Sequence, residues 1–397
     1  MVKKTVRDVE VLGKRVLVRV DFNVPTHPAS RAITDDSRIR ATLPTLSYLI
    51  EGGASVILCS HLGRPGGKLV EDLRLALVAG RLSELLDRPV LTTRDSTGPE
   101  VEEAVASLKE GEVLLLENLR FNPGEESNDP FFTRRLARLA DLYVSDAFGS
   151  VHRAHASTVG VAKHLPAVAG VLLETELVML GKALHNPVKP FAALVGGAKV
   201  SDKMAVLESI LHRIDALLIG GGMGATFLKA RGYGVGASPV EGDRLEFASE
   251  LMEKAPAAGV RLLLPLDVVV GPGPDATGGA RTVPIDEVSN SELIGDIGPR
   301  TVDLFSSELR GCRTIVWNGP MGIFESPAYA EGTRAIASLL AGLEATTIVG
   351  GGSTAEAVGS LGLGEQMTHV STGGGASLEF LEGKTLPGVA VLEEKGE

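Results

Sequence analysis

Short apolar runs alternate with segments of helical apolar spacing along the whole chain, and few folds accept that rhythm. It predicts an α/β fold, with parallel strands covered by helices on both faces of each sheet. In the first half the predicted strands are Val16–Asp21, Ser55–Ser60, Val113–Glu117 and Leu142–Asp146. In the second half they are Phe191–Val195, Ala216–Ile219, Leu262–Leu266, Thr314–Trp317, Thr346–Val349 and Thr368–Ser371. Predicted helices fit between them, for example at 72–86, 130–140, 243–254 and 327–340. The Gly/Pro-rich stretch from Gly271 to Gly279 is predicted to be an exposed excursion.

Polar residues and glycines gather just after the predicted strands. Asp21-Phe22-Asn23 follows the first, His61-Leu62-Gly63-Arg64 the second, Asn118-Leu119-Arg120 the third and Ala147 to Arg153 the fourth. Gly196-Gly197, Gly220 to Gly222, Asn318-Gly319 and Gly350 to Gly352 do the same in the second half. Open α/β sheets bind ligands beyond the carboxyl ends of their strands, so the chain is expected to present two ligand surfaces.

The chemistry changes across GVLLETELVMLGKALHNP, residues 170–187. Leu173, Leu177, Leu180 and Leu184 recur at three- and four-residue steps, which predicts one amphipathic helix stopped by Asn186-Pro187. Before it stand Arg38, His61, Arg64, Arg120, His152, Arg153 and His155; after it come the glycine clusters. A basic half suited to a compact anion thus precedes a glycine-rich half suited to a nucleotide. The expectation is a two-domain phosphotransferase with residues 1–169 and 188–383 as domains and 170–187 connecting them. A length of 397 residues suits that division.

Composition removes other classes. The formal net charge of −11 argues against a nucleic-acid binder and makes the local Arg/His cluster more than a compositional excess. No apolar run reaches the roughly 18 residues of a membrane helix, and no secretion signal is read at the N-terminus. The two cysteines, Cys59 and Cys312, sit far apart in apolar runs and are expected to be buried free thiols in a cytoplasmic protein.

In the first half Arg38, Arg64, Arg120 and Arg153, with His61 and His152, are candidates to converge on a ligand bearing more than one anionic group. Asp21 and Asn23 would add an acceptor and an amide for its hydroxyls. His155 reads equally well as a hydrogen-bonded structural residue. In the second half Gly196 to Lys203 reads as a strand-end turn entering a helix. Free N–H groups there, with Lys199 and Lys203 on one helix face, would cradle polyphosphate. The spacing is neither a Walker A loop nor G-x-G-x-x-G, which disfavours a dinucleotide-dependent dehydrogenase. Gly220 to Gly224 reads better as close strand–helix packing. Ser353 with Glu356 matches a capping box after the Gly350–Gly352 turn.

Together these stretches resemble phosphoglycerate kinases. The carriers are RVDFNVP (19–25), SHLGRP (60–65), ENLRF (117–121), DAFGSVHRAH (146–155), GGAKVSDK (196–203), WNGPMGIFE (317–325) and STGGGAS (371–377), in the family's order and over nearly the whole chain. The resemblance implies two Rossmann-like lobes joined by a hinge helix, with the tail 384–397 packing back on the first lobe. It implies reversible phosphoryl transfer from 1,3-bisphosphoglycerate to ADP, with lobe closure, in a cytoplasmic monomer using Mg2+. The glycerate role carries to Asp21, Phe22, Asn23, Arg38, His61, Leu62, Gly63, Arg64, Arg120 and Arg153. The nucleotide role carries to Gly197, Ala198, Lys199, Lys203, Asn318, Pro320, Glu325, Gly350, Gly351, Gly352, Ser353 and Thr354. Arg38, Lys199, Gly351 and Gly352 would act on the moving phosphoryl group. One departure stands out: Ser353 occupies the position where the family usually has a magnesium-binding aspartate. That serine suggests the alternative of a ligand-binding relative with impaired turnover. Glu174 and Thr175, in the connecting helix, also depart from the family pattern.

Overall fold

The computed structural model describes residues 2–275 and 278–396. The chain divides into two units, Met1–Val178 with Thr385–Glu397, and Met179–Lys384.

The first unit is built on β1 (Arg15–Val20), β2 (Ser55–Cys59), β3 (Val90–Thr92), β4 (Val113–Leu115), β5 (Leu142–Asp146) and β6 (Ala167–Ala169). Their order is β3-β4-β2-β1-β5-β6, and every pairing is parallel. Central β1 sets Val16 opposite Val56 on one side and Leu142 on the other. Val16, Val18, Val56, Leu58 and Val144 share a core with Ile39, Leu46 and Leu49 of helix Ser37–Glu51 and with Val78 and Leu82 of helix Ala76–Leu86. The alternate residues Leu17, Ile57, Leu114 and Tyr143 are equally buried on the opposite face. Burial on both faces is why these strands read as continuous apolar runs. Strands β3 and β6 escape the sequence reading because β3 (VLT) is largely exposed and β6 (AVA) runs through Gly170 straight into the next helix.

The second unit carries β7 (Phe191–Val195), β8 (Ala216–Ile219), β9 (Arg261–Leu263), β10 (Asp267–Gly271), β11 (Arg281–Pro284), β12 (Leu293–Ile297), β13 (Thr314–Asn318), β14 (Thr346–Gly350) and β15 (His369–Val370). A parallel sheet runs β15-β14-β13-β7-β8-β9. Leu194, Leu218, Ile315, Trp317 and Val349 pack there with Phe305 and Leu309 of helix Pro299–Arg310 and with Ile336 and Leu340 of helix Glu331–Ala341. A second, antiparallel sheet, β11-β10-β12, was not expected. Its first strand hides in the run RLLLPLDVVVG, where Pro265 ends one strand and the apolar pattern resumes at once. Gly271 therefore closes β10 and is buried, whereas Pro272, Pro274, Asp275, Gly278 and Gly279 are exposed in the link to β11. Positions 276 and 277 lie outside the described residues.

The connecting helix spans Val171–His185. Leu173, Leu180 and Leu184 are buried, and Leu177 is half-buried. The division between the units falls inside this helix, between Val178 and Met179. Its first turn is anchored in the first unit. Asp146 Oδ1 accepts from the Leu172 and Leu173 N–H groups (3.0 and 3.3 Å), and Thr45 Oγ1 accepts from that of Val171 (2.9 Å). Buried Gly170 leaves room for the carboxylate: a Cβ there would stand 2.1 Å from Asp146 Oδ1.

The tail returns to the first unit. The Gly388 N–H donates to the Val151 carbonyl (2.8 Å), that of Glu393 to Ala167 (2.9 Å), and that of Lys4 to the Glu393 carbonyl (2.8 Å). Both cysteines are buried and free. Among the described residues no helix is long and apolar enough to cross a membrane.

Candidate active site

In the first unit the carboxyl ends of β1, β2 and β5, with the turn after β4, bring the predicted basic residues together. Arg38, in the first turn of helix Ser37–Glu51, donates from Nη1 to Asp21 Oδ2 at 2.9 Å. Burial opposes ionisation of Asp21, but the Arg38 and Arg19 guanidiniums beside it favour the carboxylate, and its pKa lies below the usual value. Asn23 Oδ1 accepts from the Gly63 N–H (2.8 Å), and Arg120 Nη1 donates to the Gly63 carbonyl (2.8 Å). Gly63 has φ +65°, a backbone conformation that favours glycine, and a Cβ there would also press on the Leu73 side chain at 2.8 Å. Arg120 is 5% exposed, and burial, with Arg153 and Arg19 nearby, lowers its pKa, although Glu126 at 3.1 Å opposes the change. Arg153 Nε donates to His152 Nε2 (3.1 Å). Burial pushes the His61 pKa well down, and Arg19, Arg120 and Arg153 push the same way against Asp21. Arg64 is exposed and joined to no described residue by a hydrogen bond or ion pair.

Two residues expected at the ligand turn their side chains into the core. Phe22 is 0% exposed in the core, with its N–H on Ser60 Oγ (2.9 Å). Leu62 is buried in the same core, and Asn118 takes both its N–H and its carbonyl. Their side chains shape the strand ends from within the core. His155 resolves as structural: its N–H donates to Thr158 Oγ1 (3.0 Å) at the start of a π-turn. Its Nδ1 lies 3.8 Å from Glu125 Oε1, but burial and the neighbouring Arg120 and Arg153 push its pKa down to about 4. At neutral pH that contact is not an ion pair.

In the second unit three strand ends form one polar floor. The Gly196 N–H donates to the Asn318 carbonyl and that of Gly197 to the Pro320 carbonyl, both at 2.9 Å. Two of the N–H groups expected to be free at this turn, those of Gly196 and Gly197, are therefore spent on the end of β13. A Cβ on Gly196 would stand 2.3 Å from the Pro320 carbonyl oxygen, so the approach itself demands glycine. Helix Met204–Leu211 begins later than predicted, with Lys203 as its N-cap and Lys199 outside it. The two lysines do not share a helix face. Lys203 is 8% exposed and donates to Asn318 Oδ1 (2.5 Å), and burial lowers its pKa; Lys199 and Ala198 are exposed. Trp317, 0% exposed, pins the floor by donating from Nε1 to the Gly319 carbonyl (2.8 Å). Gly221 (φ +63°) lies so near that a Cβ would meet the Gly197 nitrogen at 2.5 Å, in keeping with the packing read for that cluster.

The free backbone donors lie one strand over. Helix Gly352–Ser360 has Gly351 as its N-cap, at φ +89°. The leading N–H groups of a helix have no intrahelical acceptor, so exposed Gly352 and Ser353 present theirs outward. Asn318 Nδ2 is buried without a partner among the described residues, directly beneath Gly351, where a Cβ would stand 3.1 Å away. The expected capping box is absent: Ser353 is the second helical residue, exposed, and makes no cap hydrogen bond. The Gly351 φ supplies the turn that a capping side chain would otherwise fix. Thr354 is 0% exposed and its Oγ1 accepts from the Gly319 N–H (2.7 Å), so its side chain braces the floor. Glu325 is exposed at the end of the segment after β13.

A wider concavity of about 670 Å3 beside helices Ser37–Glu51 and Ala76–Leu86 is lined by Asp35, Asp36 and Glu84, with Arg81 as the only basic lining residue. Its carboxylates repel an anion, so charge rather than volume singles out the strand ends. Sequence reasoning passed over Arg19, Glu125 and Ser157, which lie buried beneath the basic cluster. The available signal was a charged residue inside the apolar run of β1.

The family model described as phosphoglycerate kinase matches residues 6–384. Phosphoglycerate kinases of Moorella thermoacetica and Herpetosiphon aurantiacus are 56% and 55% identical over 395 residues, covering 100% of each chain. The solved structure of phosphoglycerate kinase from Coxiella burnetii is 42% identical with a TM-score of 0.85; that from Pyrococcus horikoshii OT3 is 34% identical with 0.88. Each covers 98% of both chains. With basic strand ends in one unit and a glycine-capped helix start in the other, the chain belongs to the phosphoglycerate kinase family.

Proposed function

We propose that the first unit binds the glycerate and the second the nucleotide, in the reversible transfer of a phosphoryl group from 1,3-bisphosphoglycerate to ADP. The observation that carries this division is the complementary placement of donors. Arg38, Arg120 and Arg153, with His61, Asp21 and Asn23, gather at the strand ends of one unit. The unspent N–H groups of helix Gly352–Ser360, beside Lys203 and Asn318, lie in the other. Arg64 completes the anion site, and Gly63 serves as its scaffold. Gly197, Ala198, Pro320, Gly350 and Glu325 line the nucleotide site through backbone and edge contacts.

Phosphoryl transfer asks little covalent work of a protein; charge spreads over the equatorial oxygens of a loose transition state. Arg38 is fixed by Asp21 and keeps donors for an oxygen of the moving group. Lys199 is exposed and free to follow that group. The Gly351-Gly352 backbone offers fixed dipoles that need no reorganisation when charge develops.

Magnesium belongs to this reading as part of the nucleotide. Among the described residues no group of three or more His, Cys, Asp or Glu side chains is placed to hold a metal ion. The helix start offers N–H groups, which favour anions, and one hydroxyl, Ser353 Oγ. That donor set fits an ion arriving on the phosphates with several waters, and Ser353 Oγ would be its one side-chain ligand. Bound there, magnesium neutralises phosphate charge. We further read the protein as a cytoplasmic monomer, in line with its acidic balance and its two buried thiols.

Calorimetry on the full chain tests the division. Arg120→Ala is expected to weaken 3-phosphoglycerate by about 1.5–3 kcal/mol, the range for a hydrogen bond to a charged group, and to leave ADP unchanged. Lys203→Ala and Glu325→Ala are expected to do the reverse. Arg38→Ala should bind ADP normally and lose most of its turnover. The opposite binding pattern, or wild-type turnover without Arg38, would refute the assignment.

A further inference from the structure

Arg19 is 1% exposed at the end of β1, directly behind the basic cluster. Its guanidinium donates from Nε to Ser157 Oγ (2.8 Å) and from Nη1 to the Val20 carbonyl. From Nη2 it reaches Ser150 Oγ (3.3 Å) and His61 Nδ1 (3.0 Å). Ser157 in turn donates to Oε1 of buried Glu125 (2.6 Å), which answers the guanidinium charge through one hydroxyl. Four of its five N–H groups are spent inside the protein, and at 1% exposure the side chain is closed off from solvent.

Its bond to His61 has a chemical consequence. Arginine stays protonated in proteins and carries donors only. His61 Nδ1 must therefore be the acceptor, and in the neutral ring the proton then sits on Nε2. No hydrogen bond joins Nε2 to any described residue. The charged groups around the ring are Asp21, which favours an imidazolium, and Arg19, Arg120 and Arg153, which oppose it together with burial. Of these, Arg19 holds a ring nitrogen.

We propose that Arg19 is a positioning residue that locks His61 as the neutral Nε2–H tautomer, so that the ring meets the glycerate as a directional, uncharged hydrogen-bond donor. The inference rests on the assignment of His61 to the glycerate site. It divides the labour among the basic residues. Arg38, Arg120 and Arg153 meet anionic oxygens, while His61 addresses an uncharged one, a hydroxyl or carbonyl. A further cation at this point would hold any dianion; a fixed neutral donor adds discrimination by geometry.

Long-range 1H–15N spectra of the full chain, labelled at its 8 histidines and assigned with His61→Gln, read the tautomer directly. The expected result is a neutral Nε2–H ring from pH 5.5 to 8, with its 15N resonances shifted by saturating 3-phosphoglycerate. An Nδ1–H ring or an imidazolium at pH 7 overturns the tautomer lock and leaves the site assignment standing. An Nε2–H ring unmoved by bound 3-phosphoglycerate overturns the assignment of His61 to the ligand, and the proposal with it. Arg19→Met is expected to give mixed tautomers and to raise KM for 3-phosphoglycerate about tenfold, as for one lost hydrogen bond, with KM for ATP unchanged. Arg19→Lys, which keeps a donor for Nδ1, should restore the tautomer. Equal rises in both KM values would mark Arg19 as merely structural and refute the role. Should Arg19→Met fail to fold, the wild-type spectrum still decides.

Discussion

Replacing Gly170 by alanine puts one methyl group against the carboxylate that starts the connecting helix. The new Cβ would stand 2.1 Å from Asp146 Oδ1 and 2.5 Å from its Cγ. An ordinary contact needs more than 3 Å, so the carboxylate must retreat by about 1 Å, far enough to break its 3.0 and 3.3 Å hydrogen bonds to Leu172 and Leu173. Overpacking of this kind costs roughly 1–3 kcal/mol and loss of a helix cap about 1 kcal/mol. Gly170 is not among the positive-φ glycines, so alanine also returns about 0.5 kcal/mol by restricting the unfolded chain. The net expectation is a loss of about 1.5–3.5 kcal/mol. Gly181→Ala, in the same helix with nothing within 4 Å of the added Cβ, serves as the control and should gain about 0.5–1 kcal/mol. Peptide-resolved hydrogen exchange over residues 145–175, alongside thermal unfolding of the full chain, reads both changes. If Gly170→Ala proves as stable as wild type while Gly181→Ala gains as expected, the packing argument is wrong.

Asp296 accepts from the Gly332 N–H (2.6 Å) and from that of Ile297 (2.9 Å), and burial pushes its pKa up to about 7. Because the folded form holds that proton more tightly than the unfolded chain, its stabilisation is complete below about pH 4 and is lost as pH rises towards 7. Measured against Asp296→Asn, wild type should therefore lose denaturant resistance between about pH 4 and 7; a relative gain would contradict the sign. Ser353→Asp adds a carboxylate to the first turn of an exposed helix and should stabilise it by about 0.3–1 kcal/mol through the helix dipole. The same variant should lower the magnesium concentration needed for half-maximal rate, and an unchanged magnesium titration would place the ion elsewhere.

Much of the fold was legible because both sheets bury strands on two faces, so that runs such as VILC and FAALV declare themselves without alternation. Strands that are exposed or merge with another apolar run do not: β3 is largely exposed, β6 runs through Gly170 into the next helix, and β10 resumes straight after Pro265. The basic cluster was legible where a charged side chain follows a strand, as at Arg38 and Arg120, which the structure brings to the strand ends. Backbone roles were not. The run GGAKVSDK looked like a phosphate cradle, yet its glycines serve close approach to β13 and spend their N–H groups there. Ser353 with Glu356 satisfied a capping pattern, but a glycine at positive φ already makes the turn. Arg19 stood within a quoted motif without a role, because nothing in a linear pattern says that a charge points inward.

The tail that returns to the first unit also bears on how the protein is made. The first unit owns both ends of the described chain, with its last thirteen positions separated from the rest by roughly 200 residues of the second. At about 5–20 residues per second on the ribosome, that interval lasts roughly 10–40 s. During it Val151 and Ala167 lack the partners that Gly388 and Glu393 later supply, and Lys4 waits for the Glu393 carbonyl. The part translated first is thus the part finished last, whereas the second unit, contiguous in sequence, can complete itself as it emerges.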